Sequence, residues 1–146
     1  MDNVDTELEQ RVWQRVRGEA EPMGLQALAA AEQNAAAVYL MLSRMLQGPE
    51  KSMLRQMFER ERNHSRCLNG ISLLSDDRAL SVRTAPPSND RPEVALRKCY
   101  THTLRAISAY ATRQEDPEYG HIFRHLRRQE EEHCRMIAEI LGGLKR

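Results

Sequence analysis

Four long stretches of the chain repeat apolar residues every three to four positions, which is the spacing of one face of an α-helix. We predict helices over residues 24–46, 50–74, 92–113 and 117–141. A shorter stretch over residues 2–17 repeats valine and leucine every four positions and carries Trp13, so we predict a short amphipathic N-terminal helix. The pattern predicts an all-α protein, with residues 1–20 as an extension and residues 21–146 as a four-helix bundle.

Turn-forming residues separate these helices. Gly48 and Pro49 divide the first helix from the second, because glycine suits the residue after a helix and proline cannot continue one. Asp116 and Pro117 are typical of a helix start, with an acidic cap followed by proline at the first helical position. The pair at residues 142–143, both glycine, is expected to end the fourth helix.

The connection lengths predict the topology. Short connections join the first helix to the second and the third to the fourth, so each pair should form an antiparallel hairpin. Between the hairpins lies a proline-containing linker over residues 75–92. A helix of about 24 residues is about 36 Å long, and a linker of about 18 residues can span about 60 Å. One long crossover of this kind is the ferritin-like arrangement rather than a simple up-and-down bundle.

The predicted inner faces are apolar except at one level, where acidic and imidazole side chains interrupt them. These residues are Glu32, Glu61, His64, Glu130 and His133. On the third helix, the pattern places Cys99, Tyr100, Thr103 and Tyr110 inside and turns His102 away from the core. Tyr39 and Tyr110 are candidates either for hydrogen bonds to the inner glutamates or for plain core packing.

The polar residues form a repeat. Glu61 and His64 make one Glu-x-x-His motif, and Glu130 and His133 make a second one at the corresponding place in the other hairpin. Residues at i and i+3 share one helix face, so both side chains of a motif can reach one point. Carboxylate and imidazole together suit iron, manganese or zinc. The repeat therefore predicts a metal centre in the core, to which Glu32 adds a third carboxylate.

A metal-free explanation remains open, in which these glutamates and histidines pair with one another. It must offset the cost of burying three carboxylates without an ion, which is at least several kcal/mol for an unpaired one. His121 and His125 could also bind zinc, but they stand among arginines off the inner stripe and are better explained as solvated.

The five inner residues, with Ala36 and Tyr39 in one hairpin and Ala106 and Tyr110 in the other, resemble the rubrerythrin and ferritin-like di-iron family over about residues 25–141. The resemblance implies two bridged irons that oxidise ferrous iron or reduce peroxide or dioxygen. It also implies a homodimer. The catalytic residues beyond the ligands are unknown, and no other cofactor-binding residue is predicted.

This chain departs from the family at two positions. Thr103 stands where the family has a glutamate on the third helix, and Ala106 stands where rubrerythrins have a further one. The paired Cys-x-x-Cys motifs of a rubredoxin domain do not occur in this sequence, so we expect an enzyme of this kind to need an external electron donor. The rival hypothesis is a degenerate ferritin-like bundle that serves as a structural or interaction module. A third, an iron-storing cage, requires an assembly that the sequence does not reveal.

The composition of the chain argues against some classes of partner and against a disulfide framework. Lys and Arg number 22 and Asp and Glu number 21, and this balance argues against nucleic-acid or membrane partners. The three cysteines, Cys67, Cys99 and Cys134, are widely spaced and are expected to pack as small apolar side chains. The acidic, polar start lacks the features of a signal peptide, so we expect a cytoplasmic protein.

Overall fold

A computed structural model describes residues 23–144, and in this part of the chain it contains four helices and no strand. The helices are α1 (Leu25–Met45), α2 (Gly48–Asp76), α3 (Pro92–Ala111) and α4 (Gly120–Leu144). The predicted N-terminal helix over residues 2–17 lies outside the described residues. The all-α prediction is confirmed for the four described helices. None of them combines the length and the apolar character needed to cross a membrane.

Most helix ends follow the turn signals. Gly48 has a φ of +67°, a left-handed conformation that glycine adopts without strain, and Pro49 follows it at the start of α2. The side chain of Asp116 accepts hydrogen bonds from the backbone N–H groups of Glu118 (2.9 Å) and Tyr119 (2.8 Å), which caps the turn leading into α4.

The predicted end of the fourth helix is wrong, because α4 continues through both glycines to Leu144. Gly143 is instead a point of close approach. A Cβ atom there would come within 2.6 Å of Glu50 Oε1 at the start of α2. Gly143 therefore lets the carboxylate of Glu50 lie directly against the end of α4.

The helices pack in pairs, α1 with α2 and α3 with α4, and α1 also contacts α3 while α2 contacts α4. Two apolar clusters fill the core. The first cluster includes Tyr39, Leu54, Leu96 and Ile137, and the second includes Leu28, Leu68, Tyr110 and Phe123. From their places in these clusters, α1 and α4 run from the second cluster to the first, whereas α2 and α3 run in the opposite direction.

The linker, residues 77–91, must therefore connect opposite ends of the bundle, since α2 ends at the second cluster and α3 begins at the first. Hydrogen bonds to side chains of α1 hold the linker along that helix. The backbone N–H of Ser81 donates to Gln26 (2.8 Å), and that of Ala85 donates to Asn34 (3.2 Å). These side-chain amides satisfy backbone groups that have no helical partner.

The orientation of α3 corrects part of the sequence prediction. Tyr100 is 39% exposed instead of buried, and the small residues Ala95, Ala106 and Ala109 face the core. The apolar pattern predicts the wrong place for Tyr100 because large apolar side chains mark the inner face most strongly, whereas α3 approaches its neighbours with alanines as well. This orientation brings His102 toward α1.

Candidate metal centre

The five predicted polar residues lie in one layer between the two apolar clusters. On α1, α2 and α4 this layer is flanked by apolar residues of both clusters. Glu32, Glu61, His64, Glu130 and His133 are all 0% exposed. The i, i+3 spacing on α2 and α4 directs both members of each motif inward, as the periodicity predicts.

Four of these side chains can offer ligand atoms to a single ion. Atoms of Glu32, Glu61, His64 and Glu130 lie within 4.8 Å of one another, and we call these four residues the Glu/His cluster. His64 Nδ1 is 2.7 Å from Glu32 Oε2 and 3.0 Å from Glu130 Oε1. His133 lies beside this cluster, with its ring stacked on His64 at 6.1 Å between centroids.

The two motifs interlock across α2 and α4. His133 Nδ1 is 2.8 Å from Glu61 Oε1 and 3.6 Å from Glu130 Oε2. His64 Nδ1 is likewise nearer to Glu130 than to Glu61, which is 4.0 Å away. Each imidazole therefore pairs with the glutamate of the other motif.

Surrounding residues fix the orientation of this layer. His64 donates through Nε2 to Gln129 Oε1 (2.8 Å), which keeps Nδ1 directed at the carboxylates. The hydroxyl of Tyr110 donates to Glu32 Oε2 (3.0 Å), so the hydrogen-bonding alternative holds for this tyrosine. Gln129 carries no periodic signal that the sequence could have revealed.

His102 corrects a second prediction. Its Nε2 lies 2.8 Å from Glu32 Oε1, so the side chain contacts the cluster instead of pointing away. Its side chain is 18% exposed. Ala95 and Ala109, each seven residues away on α3, could have signalled a small-residue face toward α1.

Thr103 makes the layer asymmetric. It is fully buried, and its hydroxyl donates to the carbonyl oxygen of Cys99 (2.8 Å), as a threonine within a helix often does. In the repeat, Thr103 corresponds to Glu32 and Tyr39 corresponds to Tyr110. The buried hydroxyl of Tyr39 has no hydrogen-bond partner in the described part of the chain, whereas that of Tyr110 bonds to Glu32.

Opposing effects set the protonation of the cluster. Burial lowers the pKa of His64, but its hydrogen bonds with Glu130 and Glu32 outweigh burial and raise that pKa to about 10. Burial raises the pKa of Glu61 well above its ordinary value, and the nearby charges of Glu130 and Glu32 raise it further. Burial also acts to raise the pKa of Glu130, yet the neighbouring imidazoles of His133 and His64 hold it well below its ordinary value. Protons therefore balance the buried charge when no metal does.

The donor set fits a divalent transition metal. Glu61 Oε2, Glu130 Oε2 and His133 Nε2 are buried and lack hydrogen-bond partners among residues 23–144. Carboxylate atoms left in this state are costly, and coordination to an ion would satisfy them. Oxygen with imidazole nitrogen suits iron, manganese or zinc and does not choose among them.

The other candidates do not form a site with three or more ligands within the described residues. His121 and His125 are exposed, in agreement with the solvated interpretation. Cys99 is buried and Cys134 is partly buried. Cys67 is exposed, so the prediction that it packs as an apolar side chain is wrong.

Comparisons of the chain with models of protein families, with curated proteins and with solved structures found no match.

Proposed function

We propose that the chain is a ferritin-like, rubrerythrin-like non-haem metal protein. The observation that carries the proposal is the convergence of Glu32, Glu61, His64 and Glu130, fully buried, from three helices. The direction of the helices supports it, because two antiparallel hairpins joined by one long crossover form the ferritin-like topology.

The four residues of the cluster would hold one divalent ion, for which iron is our proposal. Glu61 and Glu130 would also offer ligand atoms to a second metal position, at which His133 would be the third ligand. Thr103 contributes no carboxylate there, so the second position should bind more weakly. Iron, when bound, would supply one-electron redox chemistry toward peroxide or dioxygen.

The protein itself would exclude water from the cluster and fix the orientation of its ligand side chains. Tyr110 and His102 hold the two oxygens of Glu32, and Gln129 holds His64. The substrates proposed are ferrous iron, or peroxide or dioxygen with an external electron donor. A homodimer is the assembly that the family resemblance implies.

Metal analysis tests this proposal directly. Protein purified without a chelator should contain about one equivalent of iron, manganese or zinc, and the Glu130→Gln variant should contain much less. The iron-loaded parent should then oxidise ferrous iron or consume peroxide faster than the variant does. The proposal would be refuted if the purified parent protein contained no metal and also failed to bind added ferrous ion.

One observation favours a second candidate, a metal-free bundle that acts as a structural or interaction module. His64 already pairs with Glu32 and Glu130, and Thr103 replaces the fourth carboxylate. Such a bundle would keep these pairs for core specificity alone. It predicts no metal in the purified protein and no change in melting temperature when ferrous or manganous ion is added.

A further inference from the structure

A cavity of about 250 Å³ lies between α1, α3 and the linker. Its wall is mainly apolar, with Ala31, Ala35 and Val38 from α1 and Ala95 from α3. His102 also lines it. The cavity therefore combines an apolar body with a few polar side chains, among them the imidazole of His102, which hydrogen-bonds to Glu32 of the cluster.

The charged groups of this cavity are already paired. Lys98 Nζ is 2.8 Å from Asp90 Oδ2, and the Ser88 hydroxyl donates to the same oxygen (2.6 Å). His102 bonds to Glu32 through Nε2, which leaves Nδ1 as its remaining hydrogen-bonding atom. The lining thus offers a hydrogen bond rather than an unpaired charge.

The buried thiol of Cys99 completes the wall. Burial raises the pKa of this thiol to about 12, so it is neutral and adds apolar surface. By contrast, the groove between α2 and α4 is lined by charged residues such as Arg60 and Glu132 and by none of the residues of the Glu/His cluster.

The size and character of the cavity indicate the class of ligand. An apolar cavity of about 150 Å³ in another protein binds benzene, so a ring-sized molecule fits in the larger volume here. Sites for small molecules are mainly apolar with a few polar groups that fix orientation. A neutral molecule with one hydrogen-bonding end matches this combination.

We propose that this cavity binds a small neutral organic molecule whose apolar body lies against Ala31, Ala35 and Val38 and whose hydrogen-bonding end contacts His102. The bound molecule would lie next to Glu32 and would be placed as a co-substrate of the metal centre. This placement rests on the proposed metal function, whereas the binding itself does not.

Phenol and toluene are suitable probes, because they share a ring and differ in one hydrogen-bonding group. Each is titrated into the metal-free, full-length protein and followed by amide chemical shifts in NMR spectra. Phenol should shift the amides of Ala35, Lys98 and His102, and it should bind about three- to tenfold more tightly than toluene, the range expected for one hydrogen bond.

Matched variants locate the binding. Ala31→Phe fills the cavity and should weaken phenol binding by at least about tenfold. Ala37→Phe is the control, since Ala37 is also half-buried on α1 but does not line this cavity. His102→Leu should abolish the preference for phenol over toluene, and His102→Gln should restore part of it.

Nuclear Overhauser effects between phenol and the methyl groups of Val38 and Ala35 provide a test that requires no variant. Their absence at saturating phenol, or equal binding to parent and Ala31→Phe, would overturn the proposal.

The cobalt-loaded protein tests separately whether the bound molecule lies next to the metal centre. Phenol should change its visible absorption spectrum, and an unchanged spectrum would refute the co-substrate role. Failure of cobalt to bind would count against the proposed metal function. The phenol titration of the metal-free protein would still show whether the cavity binds the ligand.

Discussion

His133 Nδ1 lies 2.8 Å from Glu61 of the opposite motif and 3.6 Å from Glu130 of its own. His64 shows the same preference, with Glu130 nearer than Glu61. The two Glu-x-x-His motifs are therefore one interlocked unit that ties α2 to α4. Removing one imidazole leaves a buried carboxylate of the other helix without its closest partner.

Divalent metal should raise the melting temperature of the protein. A ligand that binds only the native state at a hundredfold excess over its Kd stabilises it by about 2.7 kcal/mol. For a domain of this size that corresponds to about 5–11 °C. Calorimetry with and without manganous ion measures the shift. The Glu130→Gln variant should lose most of this shift in melting temperature. An equal shift in parent and variant would mean that the metal binds outside the Glu/His cluster.

The two buried tyrosines should respond differently to loss of their hydroxyls. Tyr110→Phe removes a hydrogen bond to Glu32 and should lower the free energy of unfolding by about 1.5–3 kcal/mol, as for a bond to a charged group. Tyr39→Phe removes a buried hydroxyl that has no partner among the described residues, so it should leave stability unchanged or raise it, because an unsatisfied buried hydroxyl is costly. Urea unfolding of the metal-free variants gives both values. Equal losses would mean that the two halves of the layer are equivalent.

Thr103→Glu should raise the metal stoichiometry from about one toward two. The new carboxylate would complete the second position and give the Tyr39 hydroxyl the kind of partner that Tyr110 has in Glu32. Without metal, the variant should be less stable than the parent, because it buries a further carboxylate. Isothermal titration with manganous ion measures the stoichiometry, and Thr103→Gln controls for size. Two tight equivalents in the parent would contradict the asymmetry.

Without metal, stability should fall as pH rises above about 6.5. The pKa of His64 rises from 6.5 to about 10 on folding, so its contribution is complete below pH 6.5 and is lost as pH approaches 10. The raised pKa of Glu61 acts in the same direction, because the unfolded chain releases that proton more readily. Melting temperatures at pH 6.5 and 9 test this, and His64→Gln should flatten the dependence. A midpoint that rises with pH in the parent would contradict the protonation assigned here.

Helical periodicity was sufficient to predict the burial of the polar layer. The apolar residues around Glu61 and Glu130 repeat regularly, so the i, i+3 histidines had to share the inner face. That these residues bind metal stays a prediction, since no ion or relative tests it.

What the pattern missed has a physical reason. His102 lies on a face of α3 formed by alanines, and small residues give a weak signal of burial. They allow α1 to come close enough for a hydrogen bond between His102 and Glu32. Gln129 precedes Glu130 in sequence, and only the packing of α4 against α2 places it beside His64.

The most direct test of the central claim is anomalous diffraction from crystals grown with manganous or ferrous ion. The account predicts a strong anomalous peak within ligand distance, about 2.0–2.3 Å, of Glu32, Glu61, His64 and Glu130. A second peak near His133 should be weaker. A map with no peak in this layer at saturating metal, with His64 still hydrogen-bonded to Glu32 and Glu130, would contradict the claim that the chain is a metal protein.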